Sequence, residues 1–302
     1  MTSPAVAVAL ATSCELPELA ASDRVLLHTL RDRGAFARPA VWTSPDTWST
    51  FDAIVIRSCW DYHRQPDRFR TWLAEIQAAG VLVVNPPDLV RWNMHKSYLL
   101  DLERAGVRIP PTRLVARGDG RALREHVQSA GWASAVVKPA ISASGYRTRK
   151  LVEGIVTAED EQAFSIMRAD GDVILQAFVP EVPDCGEWSL MFCGGRYTHA
   201  VVKVAAHGEF RVQKEWGGHV VAREPSSALA EHARRVLERF APSATYARVD
   251  GVETADGFVL MELELIEPEL FLDRQPTAAE CLADAVLSAA RAASMRRARS
   301  SP

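Results

Sequence analysis

The chain has 302 residues, 48% hydrophobic and 24% charged, with a formal net charge of -3 and a pI near 6.3. That length permits two domains or one elaborated α/β unit, and the balanced charge provides no global basic field for nucleic acid or acidic lipid, which points to a small soluble substrate. The five cysteines (Cys14, Cys59, Cys185, Cys193, Cys281) are scattered and form no CxxC pair, which excludes a disulfide framework or cysteine zinc site and indicates a reducing compartment.

The apolar start Ala5 to Ala11 lacks a basic region before it and reads as a first strand rather than a signal peptide. No other run approaches membrane-spanning length, so cytoplasm is the expected location. A helix from about Asp23 to Arg33 stopped by Gly34, a strand AIVIRS at 53–58, an amphipathic helix carrying Phe69, Trp72, Leu73 and Ile76, and a buried strand VLVV at 81–84 follow in turn. This βαβ rhythm implies a parallel sheet. The strand at 53–58 runs into Arg57-Ser58-Cys59-Trp60-Asp61-Tyr62. Its position at the carboxyl edge of a parallel sheet, the usual ligand crevice, makes Arg57, Ser58, Trp60, Asp61 and Tyr62 candidates for substrate binding. The alternative is packing by the aromatics and a local Arg57-Asp61 ion pair. Cys59 lacks a His/Asn arrangement that would activate a thiol nucleophile.

Asn85-Pro86-Pro87 marks the first boundary. A linker helix follows, capped by Asn93 and closed by Gly106 and Pro110-Pro111, with Lys96 in or near its first turn. A cation there opposes the helix dipole by a few tenths of a kcal/mol, roughly, unless an anion lies beside it. Lys138 ends the strand SAVVKP, and the small polar loop Ile-Ser-Ala-Ser-Gly at 141–145 can offer hydroxyls and N–H groups to phosphate, although it matches no Walker or GxGxxG pattern. After a helix near Glu159 to Ala169, residues 173–265 read as largely one sheet region: VILQAFVP, a hairpin turning at Gly194-Gly195, a strand beginning at 208–211, and, after a helix bearing Leu229, Ala233, Val236, Leu237 and Phe240, a final hairpin. Thr277 and Glu280 have capping-box spacing for a C-terminal helix that frays into a short basic tail.

The final hairpin carries the most chemistry. Thr254-Ala255-Asp256-Gly257 is a turn signal between apolar runs. Alternation sends Val259, Met261, Leu263 and Leu265 to one face, and Leu260, Glu262 and Glu264 to the other. A tight turn is expected to bring Asp250 opposite Glu262. Three carboxylates on one patch repel unless a cation neutralises them, and oxygen-only ligands select hard ions such as Mg²⁺. A solvated polar face is the alternative, because alternating strands often carry Glu outward.

Lys96, Lys138, the small-residue loop, QAFV, GEWS and the set Asp250, Glu262 and Glu264, in that order, resemble the ATP-grasp ligase superfamily over roughly residues 90–272. The resemblance implies an α/β ATP-grasp fold divided as 1–88 (pre-ATP-grasp α/β domain, substrate side), 89–175 (central and lid subdomain) and 176–302 (C-terminal subdomain with the Mg site). It also implies ATP as cosubstrate, with Lys96 and Lys138 on its phosphates and Ser142, Ser144 and Gly145 in a closing loop. Gln176, Phe178 and Val179 would form the adenine hinge, with Glu187 on the ribose and Met261 under the base. Arg211 would steady an acyl phosphate, while Lys203 and Arg248 would contact phosphate or substrate. Asp250, Glu262 and Glu264 would hold two Mg²⁺, with Glu264 replacing an asparagine common there. RSCWDYH, GEFRVQKEWGG and MELELIEPELFL look like the narrower O-ureido-D-serine cyclo-ligase group, which implies ATP-driven ring closure on a small amino acid without nucleic-acid or membrane partners. A two-substrate ligase, a non-catalytic ATP sensor, a cysteine-dependent amidotransferase and a homo-oligomer remain open at this point.

Overall fold

The computed structural model describes residues 6–45, 47–206, 209, 211 and 216–300, with side chains described through residue 297. Strands β1 (Ala7–Thr12), β2 (Phe36–Val41), β3 (Ala53–Ile56) and β4 (Leu82–Val84) form a parallel sheet in the order β2-β1-β3-β4, interleaved with α1 (Ala21–Asp32) and α2 (Pro66–Ala78). The βαβ rhythm thus gives the expected parallel sheet. Strand β2 was not foreseen, because Pro39 interrupts its pattern; the strand lies at the sheet edge, where a residue without an N–H is tolerated.

Two short helices, α3 (Pro87–Met94) and α4 (Tyr98–Arg104), replace the single linker helix. Asn93 lies within α3 and does not cap it. Its side chain instead donates to Leu263 O (2.7 Å) and accepts from Leu265 N (2.9 Å). Lys96 occupies the break between the helices, with its own N–H on Ala140 O at 2.8 Å.

The second sheet, all antiparallel, takes the order β5-β8-β6-β7 from β5 (Thr112–Val115), β6 (Ser134–Pro139), β7 (Arg149–Val152) and β8 (Val173–Ala177), with α5 (Leu123–Ala130) and α6 (Ala158–Asp170) intervening. Strand β8 therefore does not belong to one continuous 173–265 sheet. The connector with Pro180, Pro183 and α7 (Val182–Cys185) removes donors and breaks the pairing.

The third sheet is also antiparallel, ordered β11-β10-β9-β12-β13 from β9 (Glu187–Cys193), β10 (Arg196–Val204), β11 (His219–Ala222), β12 (Tyr246–Thr254) and β13 (Gly257–Glu264). Gly194 and Gly195 turn the first hairpin at φ 61° and 74°, a pair of positive values that glycine adopts without a Cβ clash. Helix α8 (Ser227–Phe240) buries Leu229, Val236 and Leu237 against this sheet, each worth about 1.5–3 kcal/mol. Of the strand expected at 208–211, Gly208 and Phe210 lie outside the described residues.

Helix α9 (Pro276–Ser300) places Leu282, Ala283 and Val286 in one core with Leu26 and Leu30 of α1, Leu10 of β1 and Met191 and Val201 of the third sheet. It ties the first sheet to the third. Thr277 sits inside the first turn of α9 and is not its cap. Among the described residues, no helix is long and apolar enough to cross a membrane.

Candidate active site

The hairpin β12-β13 pairs Thr254 with Gly257 across the Ala255-Asp256 turn. Unbroken pairing from such a turn would set Asp250 against Met261. A bulge between Asp250 and Gly251 lets Met261 slip in, so Asp250 faces Glu262 and Arg248 faces Glu264. The expected pairing of Asp250 with Glu262 is present, produced by the bulge rather than by the turn alone. The bulge also corrects the expected faces. Leu260 joins Leu263 and Leu265 in the core beneath α8, whereas Val259 and Met261 turn toward Val179, Val182 and Val252. Gly251 makes this possible, since a Cβ there would stand 2.2 Å from Phe258 Cζ and 2.5 Å from Val259 O.

Met261, Glu262 and Glu264 line a cleft that lies between the second and third sheets and is bounded at one end by Trp60 and Tyr62 of the first unit. The carboxylates are not a bare cluster. Lys96 Nζ and Lys138 Nζ both donate to Glu262 Oε1, at 2.9 and 3.0 Å. Lys203 Nζ bridges Glu187 Oε1 (2.5 Å) and Asp250 Oδ2 (3.0 Å). Arg248 grips Asp250 through Nε and Nη2 and pairs with Glu264, while Ser189 Oγ donates to Asp250 Oδ1 at 2.6 Å. Among the described residues, no group of three or more Asp, Glu, His or Cys is arranged to hold a metal ion. Intervening cations, rather than a ready metal cage, balance the like charges.

Titration follows from this pairing. Burial would raise the carboxyl of Glu262, but Lys96 and Lys138 hold it well below the usual carboxylate range. Burial is likewise outweighed at Asp250, where Arg248 and Lys203 lower the carboxyl. At Glu264 burial dominates despite Arg248 and, with the charges of Asp250 and Glu262, pushes the group up to about 7. Burial also raises Glu187 and lowers Lys138.

The predicted nucleotide-binding residues meet along the same cleft, lined by Lys96, Lys138, Ser142, Ser144, Gly145, Gln176, Phe178, Val179, Glu187 and Met261. Gln176 donates to Thr112 Oγ1 at 2.9 Å, which fixes its amide orientation. Ser144 and Gly145 take φ 50° and 68° in a tight loop. Arg211 also lines the cleft, paired with Glu209 Oε2 at 2.6 Å and stacked 3.2 Å over the centre of Trp216. The rest of GEFRVQKEWGG between Glu209 and Trp216 lies outside the described residues. Lys203 and Arg248 line the cleft too, with their charges directed at carboxylates.

The 57–62 cluster divides. Trp60 and Tyr62 line the cleft, whereas Arg57, Ser58 and Asp61 do not and are corrected as lining residues. Arg57 is fully buried, donating to Asp23 Oδ1 (2.9 Å) and Pro268 O (2.5 Å) and covering the ring of Tyr246. Its partner is thus Asp23, not the neighbouring Asp61. Ser58 donates to the other Asp23 oxygen at 2.7 Å, and Asp61 accepts from Trp42 Nε1 at 2.7 Å. A strand carboxyl edge places side chains near a crevice, but buried partners, Asp23 for Arg57 and Ser58 and Trp42 for Asp61, turned these inward. Cys59 is fully buried among apolar residues, and burial pushes its thiol well above the ordinary range, which rules out a ready thiolate.

Sequence reasoning missed Glu267 and Glu269, which line the cleft. Strand alternation ends at Leu265 and Pro268 breaks the run, so no periodicity could assign their side. Burial and the charge of Glu264 push the Glu267 carboxyl up to about 8.

Residues 8–85 match the family described as the N-terminal domain of D-cycloserine synthetase DcsG. Over 264 residues the chain is 30% identical to the cycloserine biosynthesis protein DcsG of Streptomyces lavendulae, covering 82% of this chain and 86% of that protein. The crystal structure of D-cycloserine synthetase DcsG superposes with a TM-score of 0.83 at 26% identity, over 94% of this chain and 99% of the other. A RimK domain ATP-grasp protein from Sphaerobacter thermophilus (TM-score 0.68, 20% identity, 93% and 100% covered) and the ATP complex of D-alanine--D-alanine ligase from Bacillus anthracis (0.68, 12%, 97% and 100%) share the fold.

Proposed function

The chain belongs to the D-cycloserine synthetase family of ATP-grasp ligases, and from that premise we propose that it closes a ring within one small molecule, converting O-ureido-D-serine to D-cycloserine with release of ADP and phosphate. It is an ATP-dependent carbon-nitrogen bond-forming enzyme. Two lysines from separate elements, Lys96 and Lys138, converge on one oxygen of Glu262, and this observation carries the reading. Ammonium groups held against a single carboxylate are available to ATP phosphates, which offer more negative charge in the same place.

In this reading Gln176, Phe178 and Val179 frame the adenine, Met261 supports it, Glu187 takes the ribose hydroxyls, and Ser142, Ser144 and Gly145 cover the phosphates. Glu262 and Glu264, with Asp250 opposite, offer only oxygen donors, the chemistry a hard cation takes, and once ATP phosphates draw Lys96 and Lys138 away from Glu262 these residues would hold Mg²⁺. Bound there, Mg²⁺ supplies neutralisation of phosphate charge. Arg211 faces the carboxyl group being activated and steadies its acyl phosphate by a fixed positive charge. Trp60 and Tyr62 wall the substrate, with Arg57, Ser58 and Asp61 bracing that wall from behind. Lys203 and Arg248 keep Asp250 ionised and in place.

Phosphoryl transfer to the substrate carboxylate gives an acyl phosphate, and the oxyamine nitrogen attacks its carbonyl carbon with loss of phosphate. Mass balance requires the carbamoyl group on that nitrogen to leave, with water, as carbon dioxide and ammonia. Tethering supplies an effective molarity on the order of 10⁵ M or more, which reduces the surface needed to hold a separate acceptor. The test is incubation with Mg-ATP and O-ureido-D-serine alone, following ADP and a cyclic product by mass. ADP release that requires a second amine would replace ring closure by two-substrate ligation.

A further inference from the structure

Six carboxylates line the cleft: Glu187, Asp250, Glu262, Glu264, Glu267 and Glu269. Four of them already hold cations: Glu187 and Asp250 hold Lys203, Asp250 and Glu264 hold Arg248, and Glu262 holds Lys96 and Lys138. Glu267 has no ion pair or side-chain hydrogen bond to another residue among the described residues. It stands three residues beyond Glu264, where the hairpin meets the first unit, and its carbonyl is fixed by Trp60 Nε1 at 3.0 Å. Lys96 and Arg248 act on its carboxylate only through their field, because both pair with other carboxylates, and burial outweighs them. A half-buried carboxylate with no cation paired to it is unfavourable, and a cationic ligand in direct contact removes that penalty.

We propose that Glu267 binds the α-ammonium group of the amino-acid substrate, beside Trp60, and thereby decides which substrate nitrogen reacts. The proposal rests on the amino-acid ligase reading given above. The α-ammonium lies one carbon from the carboxyl group, so a carboxylate near the proposed metal set but outside it is suitably placed to take it. Held as an ammonium, this nitrogen has no lone pair and can form neither a strained three-membered lactam nor a linear dipeptide. The oxyamine nitrogen, poorly basic beside oxygen and carbamoyl, stays neutral and attacks the acyl carbon. The carbon-oxygen bond to phosphate breaks, and the nitrogen proton leaves with the departing phosphate. The aromatic face of Trp60 adds attraction for the same cation.

The experiment compares ADP release with O-ureido-D-serine, D-serine and D-alanine, each against its counterpart lacking the α-amine (3-(ureidooxy)propanoate, 3-hydroxypropanoate and propanoate). The wild-type chain should favour the amino compound in kcat/KM by about 10- to 100-fold, the range of one charged hydrogen bond. Glu267→Gln should bring that ratio close to one, leaving the KM for ATP and the half-saturating Mg²⁺ unchanged, and Glu267→Asp should restore part of it. An unchanged ratio in Glu267→Gln overturns the assignment, as does a defect that excess Mg²⁺ repairs, which would make Glu267 a metal ligand. If Glu267→Gln does not fold, the same ratio is read on Glu267→Asp, where a wild-type value overturns the proposal. Absence of ADP with O-ureido-D-serine alone removes the ring-closing reading, while the other pairs still decide the role of Glu267. Absence of ADP with all three amino acids overturns both.

Discussion

The turn at 57–62 and the hairpin at 248–264 both set charged residues at the end of a sheet, yet they use them oppositely. Arg57 is fully buried and locked by Asp23 and the Pro268 carbonyl, with Ser58 on the same Asp23. The whole node is closed to solvent. Around the hairpin, Lys96 and Lys138 reach Glu262 on long flexible stems in an open cleft, so their partner can be exchanged. A charge fixed on all sides holds the fold together, and a charge held by one releasable partner can serve a ligand.

The sharpest break of this contrast is Glu262→Gln. Loss of the proposed metal ligand and of the charge that sets both lysines should lower kcat by about 10³-fold in a chain that still folds, with a lower melting temperature because Lys96 and Lys138 lose their paired anion. Turnover near normal at limiting Mg²⁺ would remove Glu262 from the site. Arg57→Met should do the reverse. Removing one partner of a buried pair costs about 3–5 kcal/mol because Asp23 is left uncompensated, and urea unfolding would show it. A folded, equally stable Arg57→Met with a raised substrate KM would make Arg57 a ligand after all.

A smaller effect separates the carboxylates by pH. Burial pushes the Glu264 and Glu267 carboxyls from an ordinary 4.5 up to about 7 and about 8, so the folded chain keeps protons the unfolded chain has lost. Their contribution to stability is present below about 4.5 and is lost as pH rises through 7 to 8. Glu262 and Asp250, held low, contribute above the ordinary carboxylate range and lose that contribution on acidification. Glu267→Gln should therefore flatten the fall in melting temperature between roughly pH 5 and 8; an unchanged slope would place Glu267 outside this balance. The smallest expected effect is Cys59→Ala, which should retain activity within about twofold and cost about 1 kcal/mol of stability. Inactivity with intact ATP binding would restore a thiol mechanism.

By itself the sequence determined the parallel first sheet, whose βαβ periodicity follows from alternating burial, the glycine hairpin at 194–195, and the order of basic and acidic motifs that marks the family. It also put Asp250 and Glu262 on facing strands. Tertiary structure alone decided the rest, because side-chain direction depends on what covers a segment. The bulge at Met261 depends on Gly251 passing Phe258, a contact that local parity does not contain. Arg57 turned inward because Asp23, 34 residues away in sequence, waits beneath it. Strand β8 left the third sheet because its partners β5 and β6 lie earlier in the chain. Glu267 entered the cleft because Trp60, at the edge of another sheet, holds its backbone there.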